Sequence, residues 1–390
     1  MKQNLNLISK IVNKERVAKR PDVTAGKRYL LYGAGKLGRI ILQALKKAEV
    51  EVIGFIDQGA APRREVENKA VWLPDSEQLR ELYADSDGII VTVYNHQANL
   101  RDIFLALDRL GYHKVYSAPD LARSLPEGTL QLDYWLDLAD KFPRGDQLAD
   151  NLTRAYALFE DSHSRELFLE LIELRLTGDY TLAGPRIHSP DLTRQYFSQN
   201  LPAKIDARRM IDCGAYDGDS LRAAYRFSSS VERIACFEPD LENFRKLVAG
   251  VRSQPNAAEV ELFPLAVWNE NKLLSFRASQ DAASALSKDG LASGSEKKTY
   301  IQAVTLDDAL EDFQPTLLKM DIEGVELEAL QGAARLIAKS RPQLAICVYH
   351  RFRHYWEIPQ FIDTLDAGYR LYLRQHGYNG QETVLYALPG

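Results

Sequence analysis

Arg209-Met-Ile-Asp-Cys-Gly-Ala-Tyr-Asp-Gly-Asp-Ser220 joins a short apolar run to a glycine-containing turn and the start of a helical pattern. The run ends at Asp212, Gly214 and Gly218 allow a tight ligand-facing turn, and the helix opens at Ser220, so the stretch predicts strand, turn and helix. A second run, Ile234-Ala-Cys-Phe-Glu238, also ends in an acid. Carboxylates at the carboxyl ends of neighbouring parallel strands point into the crevice where open α/β sheets bind ligands.

Further along, the alternation continues through Val260 to Val267, Thr316 to Asp321 and Leu344 to Tyr349. The chain closes on an antiparallel pair, Tyr369 to Arg374 with Glu382 to Leu388. Lys272 to Arg277 and Tyr300 to Val304 also read as strands. Between them, the Ser/Ala/Gly-rich stretch from Ala278 to Ser295 reads as a mobile segment or a cover for the site. Successive strand ends then bring Asp212, Glu238, Ala266, Asp321 and His350 to one rim. The first turn lacks G-x-G-x-x-G and carries Asp212 and Asp217, which suits a cationic or amino-bearing ligand better than a pyrophosphate. Glu238 suits a ribose diol, because an ionised carboxylate only accepts hydrogen bonds. A nucleoside joined to an ammonium or sulfonium group meets both demands, and S-adenosylmethionine is such a ligand.

Toward the amino terminus, Arg28-Tyr-Leu-Leu-Tyr32 runs into Gly33-Ala-Gly35-Lys-Leu-Gly38 and an amphipathic helical stretch. The following strand ends at Asp57, nineteen residues after Gly38, about where a ribose hydroxyl is met in a dinucleotide fold. Strand Gly88 to Tyr94, helix Ala98 to Leu110 and strand Lys114 to Tyr116 complete a doubly wound unit. A nucleotide or nucleotide-sugar at Gly33, Gly35, Gly38 and Asp57 is one reading. Glycines serving only the turn and helix packing are the other. Asn95 and His96, just past a strand end, read as polar loop residues.

Between these units, from Ser124 to Ala207, helical pieces are broken by prolines. The clearest helix runs from Ser164 to Thr177 and ends at Gly178. The segment Tyr180 to Tyr196 reads as spacer or substrate mouth, with Arg175, Asp179 and Arg186 its notable polar residues. The organisation is therefore a Rossmann-like domain over 1–123, a helical connector or cover over 124–207, and a second α/β domain over 208–390. That division suits a chain of 390 residues. A net charge of -5 with interspersed signs offers no field for nucleic acid. Cys213, Cys236 and Cys347 sit in apolar strand-like runs and read as buried thiols in a reducing cytoplasm. No uncharged run is long enough to span a membrane.

The ordered series Ile211-Asp-Cys-Gly-Ala-Tyr-Asp-Gly-Asp-Ser, Phe237-Glu-Pro239, Thr305-Leu-Asp307, Leu318-Lys-Met-Asp-Ile-Glu-Gly-Val-Glu326, Leu330-Gln-Gly-Ala333, Tyr372-Leu-Arg-Gln-His376 and Glu382-Thr-Val-Leu-Tyr386 resembles the FkbM-type methyltransferases. The resemblance covers about Arg209 to Leu388. It implies a class I S-adenosylmethionine-dependent fold with a seven-stranded sheet and an antiparallel last hairpin. It also implies O-methylation of a sugar, glycan or small natural product. The first third resembles small nucleotide-sugar-associated Rossmann units fused to sugar-modifying enzymes. Carried residue by residue, the family pattern sets the methionine portion of the cofactor by Asp212, Gly214, Ala215 and Gly218, with Asp217 in the same turn. The ribose falls on Glu238 and the adenine near Ala266 and Val267.

Methyl transfer to a hydroxyl needs a collinear arrangement and removal of the hydroxyl proton. Asp321 is the first candidate base, followed by His350 and His376. Asp321 has a positioning or helix-capping reading of equal standing, and Glu323 reads as a helix-start carboxylate. Asp321, Glu323 and His350 could together hold a divalent metal that acidifies the acceptor hydroxyl, but their oxygen-rich set lacks a fixed ligand spacing, and the preferred reading has no metal. The aromatic run Tyr349, Phe352, Tyr355 and Trp356 reads as a partly buried surface cluster. Two other functions compete: a non-catalytic nucleotide-binding sensor or scaffold, and an NAD-dependent sugar-modifying enzyme working through the first domain.

Overall fold

A computed structural model describes residues 2–14, 20–59, 64–126, 129–130, 145–182, 191–228, 230–253, 258–277, 285–287 and 299–390. The sequence-based expectations for Arg186 and for most of the stretch 278–295 fall outside the described residues.

After helix α1 (Lys2–Val12), the first unit is built from β1 (Arg28–Tyr32), α2 (Lys36–Lys47), β2 (Glu51–Ile56), β3 (Glu65–Val66) and β4 (Lys69–Trp72). It continues with α3 (Glu77–Ala84), β5 (Gly88–Val91), α4 (Leu100–Arg109), β6 (Val115–Ser117) and α5 (Ala118–Ser124). Its sheet order is β3-β4-β2-β1-β5-β6. All neighbours are parallel except the β3–β4 hairpin, which periodicity does not announce because β3 has only two residues. β5 stops at Val91 rather than Tyr94, and α4 begins at Leu100 rather than Ala98. In between, Asn95 Oδ1 accepts from the backbone N–H groups of Gln97 and Ala98, and Asn99 caps the helix. Alternate residues of β1 feed two cores. Tyr29 and Leu31 meet α2 and α5, while Leu30 and Tyr32 meet α3 and α4. The unit is thus doubly wound.

The connector contributes α6 (Asp146–Leu158) and α7 (Ser162–Thr177), of which α6 falls in a stretch the sequence reading left as broken helical pieces. The second unit comprises β7 (Arg209–Cys213), α8 (Asp219–Phe227), β8 (Arg233–Phe237), α9 (Leu241–Arg252), β9 (Glu259–Phe263), β10 (Ala266–Val267), β11 (Lys272–Arg277), β12 (Ala285–Ser287) and β13 (Thr299–Val304). It is completed by α10 (Leu306–Ala309), β14 (Leu317–Met320), α11 (Glu326–Gln331), α12 (Ala334–Ser340), β15 (Gln343–Cys347), α13 (His354–Thr364), β16 (Tyr369–Gln375) and β17 (Thr383–Pro389). Seven strands form one sheet in the order β16-β17-β15-β14-β7-β8-β9, with β17 antiparallel to both neighbours.

Two expectations are corrected here. The run expected as one strand from Val260 to Val267 divides at Pro264. β9 stays in the large sheet and β10 joins a separate four-stranded sheet, β10-β13-β11-β12, so Ala266 does not belong to the rim of the large sheet. The helix expected after Glu323 divides into α11 and α12 around Gly332. A Cβ on Gly332 would lie 2.1 Å from the carbonyl oxygen of Trp268, a contact only glycine permits.

Strand alternation again separates two cores. Ile211, Phe237, Leu318, Ile346 and Leu385 face α6, α7 and α13, whereas Met210, Ile234, Leu317, Ala345 and Tyr386 face the opposite side. Ile8, Ile11 and Val12 of α1 join the first of these cores. The packing therefore does not follow the boundaries at 123 and 207, because α1 and the connector helices cover the second sheet. Phe352, Tyr355 and Trp356 also lie in this core, fully or almost fully buried, and are not the surface cluster expected. All three cysteines are buried and free. No described helix is long and apolar enough to cross a membrane.

Candidate active site

The turn after β7 takes its shape from glycine. Gly214 and Gly218 have φ of +79° and +88°, a region that side chains disfavour. A Cβ on Gly214 would stand 1.9 Å from the carbonyl oxygen of Asp321, so the ends of β7 and β14 are pinched together. Beneath the turn, Lys319 Nζ lies 2.9 Å from Asp212 Oδ1 and donates to the Gly214 carbonyl at 2.7 Å. Burial pushes the Asp212 carboxyl up against the opposing pull of Lys319. The ammonium of Lys319 is raised despite its own burial, because Asp212 and Asp321 favour its charge. Asp212 thus supports the turn from below, inaccessible to solvent. Asp217 is bound outward by Arg222 at 2.7 Å.

At the end of β8, Glu238 accepts from the N–H groups of Tyr216 (2.9 Å) and Asp240 (2.8 Å), one on each carboxylate oxygen. Each oxygen keeps a further lone pair. Burial raises its carboxyl to about 7, against those two hydrogen bonds. Ala215 is buried within the turn, and Ala266 and Val267 are buried in the small sheet.

Beyond β14 and β15 lies a cluster of carboxylates around an imidazole. His350 Nε2 is 3.4 Å from both Asp321 Oδ1 and Glu323 Oε2, and Nδ1 is 2.9 Å from Glu326 Oε1. These are ion-pair contacts without the alignment of hydrogen bonds. Glu326 also receives the Ile322 and Gly324 N–H groups and approaches His354 at 3.2 Å. Burial alone would lower the His350 pKa, but Glu326 and Glu323 outweigh it and hold the ring at about 10, a cation at neutral pH. Burial lifts Glu323 to about 8. Asp321, Glu326 and His350 present atoms within 4.8 Å of one another, close enough to share a cation. Asp321 Oδ2 accepts from the Tyr196 hydroxyl at 2.7 Å. Asp321 and Glu323 keep about a fifth of their side-chain surface exposed, so they face an open crevice while His350 does not.

Residues 212–379 match the family model of the methyltransferase FkbM domain. The match lies within the second α/β unit. Over the whole chain, the fold is similar to the crystal structure of a methyltransferase FkbM from Methylobacillus flagellatus KT. The TM-score is 0.74 at 20% identity, and 99% of this chain and 98% of that chain are covered. No curated protein matches.

The remaining candidates separate. His376 Nε2 faces the Tyr386 hydroxyl at 2.9 Å. The charges acting on His376 are Asp191 and Arg374 rather than Asp321, and burial lowers it to about 4. In the first unit, Gly38 lies against the Gly33 carbonyl, where a Cβ would be 2.2 Å away, and Gly35 faces open space. Asp57 bridges its own turn and the turn after β1: Oδ1 accepts from Gly59 N at 2.9 Å and Oδ2 from Ala34 N at 3.2 Å.

Several site residues escaped the sequence reading. Tyr196 and Gln195 end the Tyr180–Tyr196 segment read as spacer or substrate mouth, but no local pattern singles them out. Lys319 and Glu326 stand inside the quoted motif yet read there as strand and helix residues. Glu382, 9% exposed, accepts from Gln195 Nε2 at 2.5 Å and stands 3.4 Å from His96 Nδ1. Burial raises Glu382 to about 7, with Asp321 adding to the shift. An acid directly after a Gly-Tyr-Asn-Gly-Gln turn was the available signal.

Proposed function

We propose that the chain transfers a methyl group from S-adenosylmethionine to a hydroxyl of a sugar, glycan or small natural product. The observation that carries this reading is the contact of Gly214 with the Asp321 carbonyl, which sets a carboxylate beside the turn that would receive the methionine end of the cofactor. The donor set fits such a ligand. Glu238 has lone pairs free for a ribose diol, and the neighbouring rim is acidic, favourable to a sulfonium and unfavourable to a pyrophosphate. Bound there, the cofactor supplies an electrophilic methyl group, so that an O–CH3 bond forms as the S–CH3 bond breaks and neutral S-adenosylhomocysteine leaves.

The chain's own residues provide orientation and proton removal. Asp321 takes the acceptor's hydroxyl proton, Tyr196 fixes the direction of its Oδ2, and the imidazolium of His350 flanks Oδ1. Held as a cation, His350 has no lone pair free to act as base near neutral pH. Calorimetric titration with S-adenosylmethionine is the test. Binding that weakens at least tenfold in Glu238→Ala supports the reading, and no heat at millimolar ligand refutes it.

A further inference from the structure

The turn between β16 and β17 is seated in the first unit. Asn379, 3% exposed, donates from Nδ2 to the carbonyls of Asn95 (3.1 Å) and Ala98 (2.7 Å) and accepts at Oδ1 from Leu100 N (3.1 Å). Tyr378 N donates to the His96 carbonyl at 2.8 Å. Gly377 packs so closely that a Cβ there would lie 2.8 Å from His96 Cβ. The loop at the carboxyl end of β5 is therefore locked onto the methyltransferase unit, and one of its side chains faces a site carboxylate: His96 Nδ1 stands 3.4 Å from Glu382 Oε1.

Glu382 and Asp321 are bound by consecutive residues, Gln195 and Tyr196, whose Cα atoms are about 3.8 Å apart across a trans peptide. Gln195 Nε2 and the Tyr196 hydroxyl both lie within 4.0 Å of Cys347 Sγ, and the Asp321 charge raises Glu382, so the two carboxylates are near neighbours. His96 keeps 27% of its side-chain surface exposed, so the pair lines accessible space. One residue before Glu382, the buried amide of Gln381 lies beside the Tyr94 hydroxyl. A carboxylate and an imidazole side by side on accessible space suit a partner rich in groups that both donate and accept.

Building on the proposed methyl transfer, we propose that the first unit supplies one wall of the acceptor site and that the site takes a sugar ring. One ring hydroxyl meets Asp321, and neighbouring hydroxyls are bound by Glu382 and His96, with Gln381 behind them. His96 is then an acceptor-binding residue contributed from outside the matched methyltransferase domain.

The test uses the full chain saturated with S-adenosylhomocysteine and reads saturation-transfer NMR from methyl glucoside, mannoside, galactoside and rhamnoside. At least one sugar should bind. His96→Ala should weaken it tenfold or more, whereas His96→Gln, which keeps a donor and an acceptor, should stay within threefold. Asn379→Ala, which removes three hydrogen bonds of the seat, should also weaken sugar binding. S-adenosylhomocysteine affinity should be unchanged in all three variants. Transfer to none of the four sugars, or equal binding by wild type and His96→Ala, overturns the inference. If S-adenosylhomocysteine itself fails to bind wild type, it is the methyl-transfer reading that falls.

Discussion

Lys319 and Asp212 stand opposite each other on adjacent parallel strands, 2.9 Å apart from Nζ to Oδ1, and neither side chain is more than 2% exposed. This buried ion pair forms the floor under the Gly214 turn. Removing one member strands the other in a medium that cannot solvate it. Lys319→Met should destabilise the protein by about 3–5 kcal/mol in denaturant melts, and the double variant Lys319→Met with Asp212→Asn should recover most of the loss. A single variant as stable as wild type would show that the pair does not hold the floor.

In the proposed reaction Asp321 removes the acceptor's proton and other residues hold the cofactor. Asp321→Asn preserves shape and should leave S-adenosylhomocysteine affinity within threefold while turnover falls by roughly 10²–10⁴. Undiminished turnover would remove Asp321 from the reaction.

Glu238 carries a pH signature. Its carboxyl is raised by burial to about 7, and a ribose diol favours the ionised form, which can accept from both hydroxyls. Binding should therefore release protons near pH 6.5, and affinity should rise as pH increases toward 7.5. The calorimetric enthalpy at pH 6.5 should vary with the ionisation enthalpy of the buffer. A buffer-independent enthalpy would separate Glu238 from the ribose.

His350 should leave its mark on stability. Its folded pKa, about 10, exceeds the unfolded value of 6.5, so its contribution is complete below 6.5 and is lost as pH rises through 10. Glu323, raised by burial from 4.5 to about 8, acts in the same direction over a lower window. Wild type should lose stability between pH 6.5 and 10. His350→Asn should start less stable and show a shallower loss over that range, as read from melting temperatures.

Legibility in the sequence tracked how local each cause is. Strands β7, β8, β14 and β15 are buried on both faces, so they read as continuous apolar runs, and their turns declare themselves through glycine or acid. Glu238 and Asp321 follow directly from that register. Asp212 shows its limit. Its position was clear, but its role depends on Lys319 across the strand, 107 residues later, a pairing no periodicity encodes. The break at Gly332 was hidden for the same reason, since it answers to the carbonyl of Trp268, just past β10 and 64 residues earlier. Glu382 and His96 lie 286 residues apart and meet only because an Asn side chain replaces backbone partners in a distant loop.

The seating of Asn379 on the 95–100 loop also sets an order of events during synthesis. The first sheet uses only residues 28–117 and can form early, whereas β17 inserts between β15 and β16 only after nearly all the chain exists. Until then β15 has an open edge, and the wall carrying His96 has nothing to face. Maturation of the crevice is thus the last step of assembly, governed by contacts of very long sequence separation, which close slowly. A ribosome-bound chain would acquire its first folded unit long before it acquired a complete site.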